Sequence, residues 1–136
     1  MLEIALNYWS ILVSAVAQSL IGALWYSKIL FGPAWLRWIG KTEADLKKGN
    51  PTKAMVLSFI GALVMAYVMA LAIFAVGASS VAEALQVGSF VWLGFVATTE
   101  FNGVLFRHTP LPLFLINTGF NLATLLTMSV ILTLWQ

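Results

Sequence analysis

Five consecutive residues, Thr98-Thr99-Glu100-Phe101-Asn102, set a carboxylate and an amide inside an otherwise apolar run. An ionisable side chain within a membrane-spanning helix is costly, needs a polar partner and is by default a candidate functional group. Three amides are the expected partners. Asn117 and Asn121 stand four residues apart, hence on one helix face, and Gln18 stands in the first apolar run. At 1.5 Å of rise per residue, Glu100 lies about 10 Å from the charged boundary at Arg107, Asn117 about 8 Å and Asn121 about 14 Å past Pro112, and Gln18 about 14 Å before Ser27. Glu100, Asn102, Asn117, Asn121 and Gln18 are therefore expected to form one intramembrane polar cluster. Amides donate to an ionised carboxylate or accept from a neutral carboxyl. Low dielectric favours the neutral form of Glu100, whereas Arg107, two turns away on nearly the same face, favours the charged form. The chemistry open to such a cluster is a proton or cation site, a pocket for a polar head group, or a hydrogen-bonded clamp that fixes helix register.

Other reactive groups are few. The chain has no Cys and one His, His108, in an Arg-His-Thr-Pro turn. That composition leaves out thiolate ligands and nucleophiles, and one imidazole does not make a His-based metal site. The Ser residues have no His and Asp set beside them, and no glycine-rich phosphate loop occurs. We expect no catalytic residue, no metal and no cofactor.

The elements that must position the cluster follow from composition. Of 136 residues, 61% are hydrophobic and 9% charged; a water-facing surface needs about 25% charged residues. The chain reads as an all-α integral membrane protein, a single domain over residues 1–136 with four transmembrane helices at about 5–26, 54–76, 83–106 and 113–135. Each approaches or exceeds the ~20 residues that cross a bilayer. Small residues recur at spacing four as Ala15/Ser19/Ala23 and as Ser58/Ala62/Ala66/Ala70, stripes along which helices approach closely. Gly119, Ala123 and Thr127 lie roughly opposite the Asn pair and offer a further contact face. Ser80, with Glu83 three residues on, reads as a capping box at the third span.

Residues 27–52 form the one substantial hydrophilic segment. Pro33 suits the first turn of a helix, and Ala34-Trp35-Leu36-Arg37-Trp38-Ile39 reads as a short amphipathic helix on the membrane surface, ended by Gly40. Thr42 caps a second short helix, Glu43 to Lys48, whose acids lead and bases follow; Gly49-Asn50-Pro51 stops it. Trp25, Tyr26, Trp35 and Trp38 are expected interfacial anchors. Six of the seven Lys and Arg lie between Lys28 and Lys53, and the seventh is Arg107. This clustering reads as an orientation signal, not as a nucleic-acid site. It places both basic connections in the cytoplasm and both termini outside.

Gly22-Ala23-Leu24-Trp25-Tyr26-Ser27, then Leu30-Phe31-Gly32 with Trp35, Trp92-Leu93-Gly94-Phe95 and Phe114-Leu115-Ile116-Asn117 occur in that order over nearly the whole chain. In these pieces the sequence resembles a family of small bacterial membrane proteins, domain-of-unknown-function family 1761. The resemblance implies a four-helix integral membrane protein, and the expected location is a bacterial cytoplasmic membrane. It implies no reaction, ligand or catalytic residue.

The functional expectation is a non-enzymatic structural or accessory subunit. Its partners would be the lipid bilayer and either further copies of itself in a homo-oligomer or a larger membrane complex. The alternative is a small oligomeric transporter or channel that uses the Glu100 cluster. A membrane enzyme acting on lipid ranks third.

Overall fold

The computed structural model describes residues 6–136, so Glu3 and the expected helix start at Ala5 lie outside the described residues. The chain forms an all-α bundle with four helices long and apolar enough to cross a membrane. The first, α1 (Tyr8–Trp25), starts where the Asn7 side chain accepts from the Trp9 backbone N–H at 3.0 Å, which satisfies one of the free donors of the first turn. It ends in a turn closed by Phe31 N–H to Trp25 O and Gly32 N–H to Ser27 O, both at 2.9 Å. Gly32 is buried there. A Cβ would meet the Tyr26 and Ser27 carbonyl oxygens at 2.5 and 2.6 Å, so no larger residue fits this turn.

The hydrophilic segment folds into two helices, α2 (Gly32–Ile39) and α3 (Glu43–Lys48). Gly40 ends α2 in the left-handed conformation, φ 73°, which glycine adopts without steric cost. Thr42 caps α3 through a full capping box with Asp45. The next helix, α4 (Pro51–Val76), starts three residues before the expected Ala54. Gly49-Asn50-Pro51 reads as a stop, yet it also starts a helix: Asn50 Oδ1 accepts from Lys53 N–H at 3.0 Å and Pro51 occupies the first turn.

The third span is one continuous helix in three parts: α5 (Val81–Val91), a π-helical stretch (Trp92–Ala97) and α6 (Thr98–Phe106). Ser80 caps it, accepting from Glu83 N–H at 3.2 Å, while the Glu83 carboxylate accepts from both the Ser79 and Ser80 hydroxyls. The last helix is α7 (Leu111–Leu134). Between α6 and α7, His108 holds φ 58°, a left-handed backbone uncommon for a residue with a side chain.

α7 is the hub. It is the most covered of the four spans, 39% of its most apolar stretch against 11% in the third span. α1 and α4 pack on it and on each other, and α5 to α6 lines another side. The apolar core gathers Ile11 and Ala15 of α1, Ala62, Ala66, Met69, Ala70 and Ile73 of α4, and Leu125, Met128 and Leu132 of α7. Three of the four members of the α4 small-residue stripe are in it. The α1 stripe differs from expectation, because Ser19 and Ala23 are exposed and only Ala15 is buried. Helices approach closely at Gly88, where a Cβ would stand 2.8 Å from Ser129 Oγ and 3.1 Å from the Leu125 carbonyl oxygen.

These core residues lie toward one end of the bundle, near Asn7, Gly77 and Trp135. At the other end, which carries α2, α3 and the Arg107 turn, α4 is uncovered from Pro51 to Gly61 except for half-buried Phe59. We call this the basic end.

Candidate functional site

The basic end is held by aromatic side chains on α7. Trp25 Nε1 donates to the Ile116 carbonyl at 2.9 Å, and Trp92 Nε1 donates to the Thr118 carbonyl at 2.8 Å. Two residues on a helix are about 200° apart at 3.6 residues per turn, so the two indoles grip α7 from opposite sides. An indole N–H is a donor only, and within an apolar span a helix carbonyl with a spare lone pair is the acceptor at hand. Gly119 makes room for Trp25: a Cβ there would lie 3.1 Å from the indole. Tyr26 OH donates to Asn117 Oδ1 at 2.8 Å. Its ring meets Trp35 of α2 edge-on at 5.2 Å and Phe120 at 5.4 Å between centroids. α2 is thereby fastened to α1 and α7 through Trp35, while Trp38 stays exposed.

The structure thus brings Asn117 to Tyr26 rather than to Glu100. Asn117 and Phe120 both meet Tyr26 of α1, whereas α6 meets α7 through Phe101, whose ring lies edge-on to Phe114 at 5.6 Å. Asn121 shares the face of Asn117 and is half-buried, as is Gln18 on α1. Gln18, Asn102 and Asn121 make no side-chain hydrogen bond among the described residues, and the expected single layer is not joined by hydrogen bonds. The i, i+4 spacing of the Asn pair correctly put both on one face. It carried no information about which neighbour that face would meet.

Glu100 is exposed, and it alone of the described acids has neither a hydrogen bond nor an ion pair. Glu43 pairs with Lys28 at 3.5 Å and Asp45 with Lys48 at 3.9 Å, and Glu83 accepts from Ser79 and Ser80. Yet Glu100 is not on the back of its helix. Val96 and Ala97 one turn before it, and Val104 one turn after, are half-buried, and Gly103 is buried. Glu100 is thus exposed in the middle of a partly covered stripe, at the same end of the bundle as the uncovered first half of α4. Arg107 folds back along α6 but stops a turn short: its Nη2 lies 2.9 Å from where a Gly103 Cβ would be, and it forms no ion pair with Glu100.

The π-helical stretch just before this site was not visible in the sequence. It is followed by Thr98 and Thr99, whose hydroxyls donate to the Gly94 and Phe95 carbonyls at 2.7 and 2.8 Å. These bonds occupy carbonyls near the widened turn, and π turns are frequent at functional positions. Also missed were hydroxyls in the interhelical packing. Ser14, Thr124 and Thr133 are buried, and their side chains have no hydrogen-bond partner among the described residues.

In the insert, Asp45 is held below the ordinary carboxylate range, first by the Thr42 backbone N–H and then by the Thr42 hydroxyl. Beside it a cleft of about 360 Å³ opens between the end of α1 and helices α2 and α3, with Tyr26, Trp35, Leu36 and Leu46 among its walls.

Fold and site together define a four-helix membrane bundle with an aromatic clasp at one end and an unpartnered carboxylate on its third span. A family model described as "Protein of unknown function (DUF1761)" matches residues 9–133, and the chain belongs to that family. No curated protein and no solved structure matches it.

Proposed function

We propose that the protein is a non-enzymatic membrane subunit that associates with further copies of itself, through the exposed first half of α4 and the Glu100 side of α6. The observation that carries this reading is Glu100: an acid within an apolar span, on a bundle-facing stripe, left uncovered by its own chain. Such a group needs a polar partner. A second copy supplies one at the right depth. Glu100 lies six residues before the end of α6 and Ser58 seven residues after the start of α4, about 9 and 10 Å along their helices. A carboxyl group can accept from a hydroxyl such as that of Ser58, and a two-fold contact, in which each copy offers the same surface, makes that pairing twice. The apolar side chains around Ser58, among them Met55, Leu57 and Ile60, are exposed and supply packing area.

Because the chain has no Cys, single-cysteine cross-linking in native membranes reads this directly. Ser58→Cys and Gly61→Cys are expected to give disulfide-linked dimers, and Leu20→Cys on α1 is not. A strict monomer at native expression, with no cross-link at either position and no copurifying partner, sinks the proposal.

The same residue supports a second reading, a proton or cation path through an oligomer. Proteoliposome flux abolished by Glu100→Gln would favour it; no flux in the parent would exclude it. In either case we place the basic end in the cytoplasm of a bacterial cell, because the Lys and Arg residues gather there. Reagent labelling of single cysteines at Lys47 and Ser79 from outside intact cells tests this, with only the Ser79 position expected to react.

A further inference from the structure

We propose that the cleft between the end of α1 and helices α2 and α3 is a binding site for the head group of a zwitterionic phospholipid, one that carries a phosphate and a primary ammonium. The cleft is preformed. Tyr26 on one wall is fixed by its hydrogen bond to Asn117 and by edge contacts with Trp35 and Phe120. The turn that brings α2 against it is set by Gly32, where nothing larger fits. Its volume, about 360 Å³, falls in the range of small-molecule sites.

Place and chemistry together choose the occupant. Tyr26 directly follows the last residue of α1, so the cleft opens where the membrane span gives way to the polar segment, at head-group depth. Its walls are aromatic and aliphatic, through Tyr26, Trp35, Leu36 and Leu46, and its two charged residues have opposite sign, Lys28 and Glu43. These two face each other at 3.5 Å and are both solvent-exposed. An exposed ion pair of this kind contributes little, so a ligand that offers each charge a new partner displaces it at small cost. A phosphodiester suits the Lys28 ammonium and a primary ammonium suits the Glu43 carboxylate, both as charge-assisted hydrogen bonds. A purely anionic head group satisfies Lys28 and leaves Glu43 facing negative charge. The acyl chains of a lipid at this depth continue into the bilayer without leaving it.

Native mass spectrometry of the full chain, released from mixed vesicles of phosphatidylethanolamine and phosphatidylglycerol with identical acyl chains, tests this. The parent is expected to retain one phosphatidylethanolamine in preference to phosphatidylglycerol. Glu43→Gln, at an exposed position, and Leu36→Trp, which fills the cleft, should each reduce that retention about tenfold, the effect of one lost charge-assisted bond. Equal retention of the two lipids by the parent, or parental retention in Glu43→Gln, would overturn the proposal. So would preference for phosphatidylglycerol with sensitivity to Lys28→Gln alone, which defines an anionic-lipid site instead. Glu43→Gln leaves α4 and α6 untouched, so its result is independent of self-association.

Discussion

The bond from Tyr26 OH to Asn117 Oδ1 joins two half-buried groups on different helices, and their coupling is measurable. Removing the hydroxyl in Tyr26→Phe leaves the Asn117 amide oxygen without its partner and is expected to cost about 1–2 kcal/mol. Removing both polar groups, in Tyr26→Phe with Asn117→Leu, should cost less than the sum of the single changes by at least about 0.5 kcal/mol, the usual floor for groups in contact. Reversible unfolding in mixed micelles, followed by far-UV circular dichroism across all four proteins, checks both figures. Strict additivity would mean that the bond does not couple α1 to α7. The residue scale is also where the sequence was least informative. Asn117 was recognisable as a polar residue in an apolar helix, and Trp25 and Tyr26 as aromatics at a span end. That they meet each other depends on the rotation of α7 about its axis, and an apolar helix does not encode that rotation in its hydrophobic pattern.

Helix ends were far more legible, because each is decided by a few neighbouring residues. Pro33, Gly40, Thr42 and Ser80 act locally and end or start helices where their chemistry says. The π stretch was not legible for the converse reason. Trp92 to Ala97 is apolar on every side, so a shift in period leaves no mark in the pattern. The element scale carries two predictions. Gly88→Ala forces a methyl against Ser129 Oγ and the Leu125 carbonyl, and is expected to destabilise the bundle by about 1–3 kcal/mol. Gly61→Ala on α4 meets nothing within 4 Å and should stabilise it by about 0.5–1 kcal/mol. The same unfolding assay separates them, and equal effects would contradict the close approach at Gly88. The second concerns α3. The Asp45 carboxylate is held below its ordinary value of 3.8 by Thr42. A lowered folded-state pKa contributes stability that is present above the unfolded value and lost as pH falls through the folded one. The capping box should therefore persist at pH 5 and fail only below the ordinary carboxylate range. Chemical shifts of the Thr42 and Asp45 amides would show this, and Asp45→Asn should remove the transition.

For the molecule as a whole, composition and the four apolar runs were enough to fix the bundle and its surface helices. The order of packing around α7 was not, since all four spans carry small residues and only their mutual fit selects partners. The finished arrangement is uneven along its axis. Interhelical packing of Ala62, Ala66, Ala70, Met128 and Leu132 lies toward the far end, while the basic end relies on the Trp25, Tyr26 and Trp92 clasp. Local opening follows the density of buried contacts. Amide hydrogen exchange in α4 is therefore expected to be slowest between Ala62 and Ile73 and distinctly faster between Pro51 and Ile60. Uniform protection along α4 would show that the clasp, or a second copy packed on the first half of α4, holds the basic end as firmly as the far end.

The same unevenness reaches beyond the protein. Four helices packed closely at one end, with two additional short helices carried at the other, give the body two ends of unequal make-up. A basic end wider than the far end would act as a wedge in a bilayer. Sorting between flat and strongly curved vesicles tests this: enrichment where the leaflet of α2 and α3 is convex is expected of a wedge, and equal partitioning rules it out.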